Sequence, residues 1–434
     1  MGKKLLLKIK ESVWIIPSIY CVISFFIAIL IVYVDSSLHE YVHKYLPDFL
    51  MTSVDLAQTT LGTIAGALLT MTTITFSTIM VVLTTYTSQF SPRTLKDFLT
   101  DASTMRVLGV FLGGFIYSIV SLLFMRNTTI DHEVISATVG VLVAFVCIAF
   151  FAYFIHNVAT SIQVNNLINK LAVDTLQTIK DDRKVLKNCT MDEVDKQPQI
   201  PTEYSQKQEM TGEQFGYIQL IDYQGLYELA KEKNYLIEVN QYIGHYITSE
   251  SKLLTIYHHG KNVKFKINDY LTIGDDRTSL QDVEFNLIKM VEIALRAISP
   301  GINDPNTAID CIRFLRVPLL EALSGRGRFS VYYDNEKKLR LIKRKESPEQ
   351  LLYTTFYQLS HYGREDISIL LAILDTLIHI AKNSSDNIKH EIKTFAIYVI
   401  RKFEKERLEE LDRKQLKHKQ TELETFVGPI VLSP

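Results

Sequence analysis

Charge is scarce in the first 160 residues of this 434-residue chain. Residues 1–159 hold nine Lys/Arg and nine Asp/Glu, which leaves 77 of the 95 charged residues to positions 160–434. Four stretches, Ser12–Val34, Leu56–Pro92, Val107–Met125 and Val134–Asn169, carry no Asp, Glu, Lys or Arg at all. Each exceeds or approaches the roughly 20 residues with which a helix crosses about 30 Å of hydrocarbon. None keeps the polar face that a soluble helix of that length would show. An ordinary soluble fold is thereby excluded for this part, and four transmembrane helices are expected within 12–159.

Cysteine is scarce too. Four residues give no disulfide framework: Cys21 and Cys147 fall inside spans, and Cys189 and Cys311 belong to the charged remainder. There is no glycine-rich phosphate loop, CxxC pair, G-x-S-x-G elbow or kinase signature set. An enzyme is not expected on that basis, and no cofactor or metal is assigned. The net charge of −1 has no basic block behind it, which argues against a nucleic-acid partner. The first partner implied is the lipid bilayer.

The apolar run after Lys3, Lys4, Lys8 and Lys10 is too long for a signal peptide, and no small-x-small site follows it. Lys and Arg concentrate in the N-terminal segment and the second loop (Arg93, Lys96, Arg106), whereas the first and third loops hold only Lys44 and Arg126. Positive loops stay inside. The expected placement is therefore multi-pass in a bacterial inner membrane, with both termini cytosolic.

The second span is the most distinctive. As one helix from Leu56 to Phe90 it would run about 50 Å, longer than the membrane requires. Eleven threonines lie between Thr59 and Thr87. At helical spacing one face reads Thr59, Thr63, Gly66, Thr70, Thr73, Ser77, Met80, Thr84, Ser88. Such a small, hydroxyl-rich stripe serves either close helix packing or the lining of a watery path. Thr72, Thr75, Thr78 and Thr85 fall off it. The third span holds Gly109-x-x-x-Gly113 with Gly114, a close-contact surface for a helix of the same or another subunit.

Residues 160–434 read as a cytosolic α+β region: a helical extension and polar linker (160–213), a small β-rich module (214–280), a helical part (281–424) and a tail (425–434). The expected strands are Gly216–Asp222, Tyr235–Asn240, Lys252–Tyr257, and more weakly Val263–Ile267, Phe329–Tyr333 and Leu339–Lys343. Expected helices cover Thr160–Lys187, Tyr223–Lys233, Leu280–Ile298, Asp304–Leu323, Ser347–Tyr362, Asp366–Ala381 and a long Asn387–Glu424. The last loses its apolar period after Leu411 and reads as a solvated or partner-facing coil.

Three local patterns carry possible chemistry. His39-Glu40-Tyr41-Val42-His43 matches H-E-x-x-H, but sits in a loop of about twenty residues with no third-ligand signature, so no zinc site is assigned. Arg93, after the Ser91-Pro92 stop of the second span, and His156, near the end of the fourth, are candidates for a cytosolic mouth. The third pattern runs from Arg296 through Asn303, Asp304, Pro305, Asn306 and Thr307. Pro300-Gly301 stops one helix there, Asp304 caps the next and Pro305 starts it. A helix N-terminus of this kind also attracts anions, so a phosphate-bearing ligand is a second reading, which Asp304 opposes.

These motifs together resemble a family of predicted bacterial membrane proteins known only as domain of unknown function twenty-two fifty-four. The resemblance is carried by Ser12-Val13-Trp14, Asp55-Leu56-Ala57 through Gly62-Thr63-Ile64-Ala65-Gly66, Phe76-Ser77, Gln89-Phe90-Ser91-Pro92-Arg93, Leu108-Gly109, Phe115-Ile116-Tyr117-Ser118 and Phe154-Ile155-His156. It continues with Gly216-Tyr217-Ile218-Gln219-x-Ile221-Asp222, Asp282-x-x-Phe285 and Ala294-Leu295-Arg296-Ala297-Ile298-Ser299-Pro300-Gly301-Ile302-Asn303-Asp304-Pro305. Asn157 stands where the family often has a second histidine, and H-E-x-x-H lies outside the pattern. The resemblance implies membrane location and no known reaction. The expected function is a non-enzymatic homo-oligomer whose second span forms a channel-like conduit. The alternative is a membrane-anchored sensor or scaffold with a cytosolic ligand- or partner-binding module.

Overall fold

The computed structural model describes residues 12–431 apart from 38–44, 46, 126–132, 185, 188, 213, 261–265, 325–326 and 404–407. The H-E-x-x-H stretch lies outside the described residues, as does most of the weak strand expected at Val263–Ile267. The chain divides into two compact units, 2–163 and 164–434.

The first unit is built on four apolar helices long enough to cross a membrane: α1 (Ile15–Ser37), α2 (Val54–Thr85), α3 (Ala102–Phe124) and α4 (Ser136–Ser161). Continuing through a π-helical turn at Tyr86–Phe90, α2 reaches 37 residues, about 55 Å at 1.5 Å per residue. It stops as the sequence indicates. Ser91 accepts on its hydroxyl from Arg93 N–H and on its carbonyl from the Thr94 hydroxyl, and Pro92 begins a 3-10 turn.

The most enclosed of the four is α3, because its glycines admit neighbours. A Cβ on Gly109 would come within 2.8 Å of the Tyr20 ring, and one on Gly113 within 2.6 Å of Ser24 Oγ. The GxxxG surface is therefore filled by α1 of the same chain, with Gly114 turned toward Leu68 and Cys147. At one end of the bundle the segments knit together: Thr52 pairs with Val134, the Thr138 hydroxyl donates to Leu50 C=O, and Gln58 donates to Met125 C=O at 2.9 Å. At the other end, Tyr86 donates to Ser161 C=O at 2.9 Å.

The helix expected over Thr160–Lys187 is interrupted. Thr160 and Ser161 turn their hydroxyls back on Asn157 C=O, α4 ends, and α5 (Val164–Arg183) begins three residues later.

In the second unit, six strands form one sheet in the order β1-β8-β9-β4-β6-β2. They are β1 (Thr190–Val194), β2 (Gln206–Thr211), β4 (Leu236–Val239), β6 (Lys252–His258), β8 (Phe329–Tyr333) and β9 (Leu339–Arg344). All neighbours are antiparallel except β4 and β9. Strands β5 (Tyr246–Ile247), β3 (Gly216–Ile221) and β7 (Leu271–Gly274) make a second, smaller sheet. Strand alternation sorts the core. Ile237, Val239, Leu254, Ile256 and Leu341 pack with Leu226, Tyr227 and Ala230 of α6 (Tyr223–Lys233), while Leu236, Val331 and Ile342 line the other face with Tyr204, joined by Leu339 through a register shift between β8 and β9.

Helices α7 (Val283–Ala297), α8 (Pro305–Phe314), α9 (Arg316–Leu323), α10 (Pro348–Tyr362), α11 (Ile367–Lys382), α12 (Asp386–Lys402) and α13 (Glu410–Val427) complete the unit. Three sequence expectations change. The polar stretch read as a linker supplies the two outermost strands, β1 and β2. The single helix expected at Asp304–Leu323 is two, because Pro318 has no N–H to bond the carbonyl of residue 314. The long C-terminal helix is also two, and its end is no solvated coil. A capping box between Glu409 and Asp412 restarts it as α13, Leu416 and Leu423 are buried, and Lys419 pairs with Asp375 at 2.9 Å.

Candidate functional site

Helix α2 has two opposite faces. Val54, Ala57, Leu61, Ala65, Leu68, Thr72, Thr75, Ile79 and Val82 are buried against the rest of the unit. About half a turn away, Thr59, Thr63, Gly66, Thr70, Thr73, Ser77, Met80, Thr84 and Ser88 are all exposed. Two of the off-stripe threonines, Thr72 and Thr75, thus belong to the packed face, and Thr78 and Thr85 sit on a flank. The chain's own bundle leaves the stripe uncovered.

The stripe's hydroxyls make their bonds along the helix. Thr59 donates to Asp55 C=O at 2.9 Å, Thr63 to Thr59 C=O at 2.8 Å, and Thr70, Thr73 and Thr84 to the carbonyls of Gly66, Leu69 and Met80 at 3.0 Å. This back-bonding removes the donors that hydrocarbon would penalise and leaves oxygen lone pairs facing outward. A Cβ on Gly62 or Gly66 would meet nothing within 4 Å. Further along the helix Leu69, Ile74, Phe76 and Val81 are exposed as well. The geometry suits close approach of a second helix, or water.

Arg93 and His156 are both exposed, on the turn that ends α2 and near the end of α4. The Arg296–Thr307 motif forms the corner between α7 and α8. Asn303 adopts the left-handed conformation (φ 53°), Asp304 N–H donates to Ala297 C=O at 2.8 Å, and the Asp304 carboxylate accepts from Thr307 N–H and, at 2.6 Å, from the Thr307 hydroxyl. Pro305 opens α8, and Arg296 and Asn306 are exposed. Both carboxylate oxygens of Asp304 are thus engaged in the cap, which meets the structural requirement of the motif.

A group that the sequence reading missed lies in the second unit. Lys343 on β9 is buried against Asp182 of α5, its Nζ 4.5 Å above the Tyr223 ring. Two residues on, Lys345 pairs with Glu193 of β1, and burial pulls its ammonium below the usual lysine range against the attraction of that carboxylate. Arg277 holds Asp282 at 2.7 Å and Glu284 at 3.1 Å, and Asp282 caps α7 through Phe285 N–H. The Tyr242–His245 loop runs beside them. Gly244 is required in it, with φ of +87° and an added Cβ 2.0 Å from Asp282 Oδ2. The only sequence signal was Lys343-Arg344-Lys345 at a strand end, where alternation sends the two lysines to one face and Arg344 to the other.

Among the described residues no group of three or more His, Cys, Asp or Glu is placed to hold a metal ion. All four cysteines are free.

Comparison with known proteins agrees with the apolar four-helix unit. A family model described as a predicted membrane protein, DUF2254, matches residues 10–379. An uncharacterised protein of Mycobacterium bovis is 29% identical over 366 residues, which cover 81% of this chain and 68% of the relative. Uncharacterised proteins of two Mycobacterium tuberculosis strains match over the same shares at 29% and 28% identity. No solved structure matches the chain. With a family model extending over most of its length, the chain belongs to the DUF2254 family of predicted membrane proteins.

Proposed function

We propose that the protein is a non-enzymatic homo-oligomer of a bacterial inner membrane, in which the hydroxyl face of α2 from each copy turns toward a shared axis and forms a channel-like conduit. Residues 164–434 then lie in the cytosol with both termini. The observation that carries this reading is the opposition of the two α2 faces: one packs its own bundle, and the other is small, polar and uncovered. A lipid-facing surface needs none of these features, whereas helices that associate in membranes are enriched in Gly, Ser and Thr at their contacts. The excess length of α2 supports it further, since a helix of about 55 Å extends a lining beyond about 30 Å of hydrocarbon.

Purified protein in liposomes tests it. Ion flux with the unaltered chain, lost when Thr70→Leu and Thr73→Leu are combined, supports the conduit. A tight liposome and an unchanged oligomer in the double variant remove it. The alternative reading, a membrane-anchored sensor, is favoured by one separate observation, a large polar cavity in the second unit.

A further inference from the structure

The described cations of residues 164–434 are mostly engaged. Arg183 pairs with Glu321, Arg277 with Asp282, Arg316 with Asp375 and Arg340 with Asp334. Among the described arginines of this unit, Arg328 and Arg344 alone have no hydrogen-bonding or acidic partner for their side chains among the described residues. They are also neighbours. Arg344 is paired across the sheet with Phe329, the residue after Arg328, and Lys345 N–H donates to Arg328 C=O at 2.8 Å.

Both line a cavity of about 740 Å³, together with Lys196, Lys345, Tyr242 and His245. Lys196 is exposed and has no acidic partner among the described residues. Two acids share the lining, Asp195, which accepts from Asn387, and Glu346. With Lys345 already held by Glu193, the three remaining cations, Lys196, Arg328 and Arg344, against two carboxylates leave the cavity one charge positive. Ser347 and Gln350 close one side at the start of α10, where backbone dipoles add partial positive charge. On another side the rings of Tyr242 and His245 meet edge to face, 4.3 Å between centroids.

We propose that this cavity binds a soluble, phosphate-bearing anion of nucleotide size, with Arg328 and Arg344 gripping the phosphates, Lys196 adding charge, and Tyr242 and His245 flanking the organic part. A guanidinium group suits this chemistry because it presents a rigid fork to phosphate oxygens. The volume falls in the range of small-molecule sites, about 300–1,000 Å³. The proposal is independent of the conduit and holds whether or not the membrane unit conducts.

The test uses the full chain in phosphatidylcholine nanodiscs, titrated calorimetrically with ATP, ADP and inorganic pyrophosphate. Saturable binding of at least one probe is expected. Arg328→Gln and Arg344→Gln should each weaken it by about 10- to 100-fold, the range for a lost charge-assisted hydrogen bond. Arg328→Lys and Arg344→Lys should weaken it less, and Arg413→Gln, on α13 away from the cavity, should leave it unchanged. Both target arginines are exposed, so retained thermal unfolding confirms that the variants fold. No binding by any of the three probes overturns the proposal, as does equal binding by wild type and both glutamine variants. Nanodiscs of phosphatidylglycerol separate the two sources of phosphate: undiminished nucleotide binding supports a soluble ligand, and complete competition by the lipid overturns it in favour of a headgroup.

Discussion

Asp35, in the last turn of α1, accepts hydrogen bonds from the N–H and hydroxyl of Ser136 and from Ile135 N–H at 2.9 Å, and so caps α4 from another helix 100 residues away. The N-cap residue of α4 is Ile135, which has no side chain able to do this. Asp35 is 3% exposed, so the bond network is shielded from water. An acid just beyond the first uncharged stretch therefore joins the first and fourth apolar helices.

Asp35→Ala should destabilise the bundle by about 2–3 kcal/mol, since buried N–H groups lose their acceptor. Thermal unfolding in detergent measures this. An unaltered midpoint would show that the cap is dispensable.

Glycines on α2 and α3 should respond in opposite ways. Gly113→Val forces atoms against Ser24 Oγ and should cost about 1–3 kcal/mol by driving α1 from α3. A Cβ at Gly66 would meet nothing within 4 Å, so Gly66→Leu should leave the unfolding midpoint of dissociated protein unchanged. If copies meet along the stripe, the same substitution should shift the oligomer to smaller species in light scattering.

The closing helix gives a third prediction. Leu423 is fully buried although its surroundings in sequence are Lys- and Glu-rich. Leu423→Ala should cost about 2–5 kcal/mol, the usual range for a core leucine. A change below about 0.5 kcal/mol, the size typical of surface substitutions, would return α13 to solvent.

Acid pH should weaken the second unit through His245. Burial lowers its pKa from the ordinary value, aided by Arg277 and Arg344 and opposed by Glu284. The sign follows from linkage: below about pH 6.5 the unfolded chain takes up the proton before the folded one does. Stability present above that pH is lost as pH falls toward the folded pKa. Unfolding midpoints of the wild type and His245→Gln between pH 7.5 and 5 should diverge, with the wild type falling faster. Parallel curves would remove His245 as the cause.

The sequence made legible what rests on local patterns. Uncharged runs marked the four apolar helices, Ser91-Pro92 marked the end of α2, and Pro300-Gly301 with Asp304 marked the α7–α8 corner. Alternation located β3, β4 and β6, buried on at least one face. It failed for Thr190–Val194 and Gln206–Thr211, the outer strands of the sheet, whose polar side chains give no apolar period. The Lys343–Asp182 and Lys345–Glu193 pairs join residues more than 150 positions apart, and a single sequence holds no record of such meetings. The stripe itself was visible, but its direction was not. Packing decides which face of a helix turns inward, and both faces of α2 carry threonine.

That second unit also dictates how ligand binding must be measured. A fragment beginning at Gln214 would lack β1 and β2 and expose the sheet edges formed by β8 and β6, so it is unsuitable for screening. The fragment beginning at Gln214 should unfold at a lower temperature than one beginning at Val164, as followed by calorimetry. Identical, cooperative unfolding of both would contradict the importance of the two outer strands.

Cysteine scanning in native membranes tests the orientation of α2 most directly. The starting chain has Cys21, Cys147, Cys189 and Cys311 replaced, and carries Thr63→Cys, Thr70→Cys, Ser77→Cys, Leu69→Cys or Phe76→Cys one at a time. A membrane-impermeant thiol reagent should label positions 63, 70 and 77, and mild oxidation should link copies through them, while positions 69 and 76 stay unlabelled. Silence at 63, 70 and 77 under both treatments would mean that lipid covers the hydroxyl face, and the conduit would be refuted.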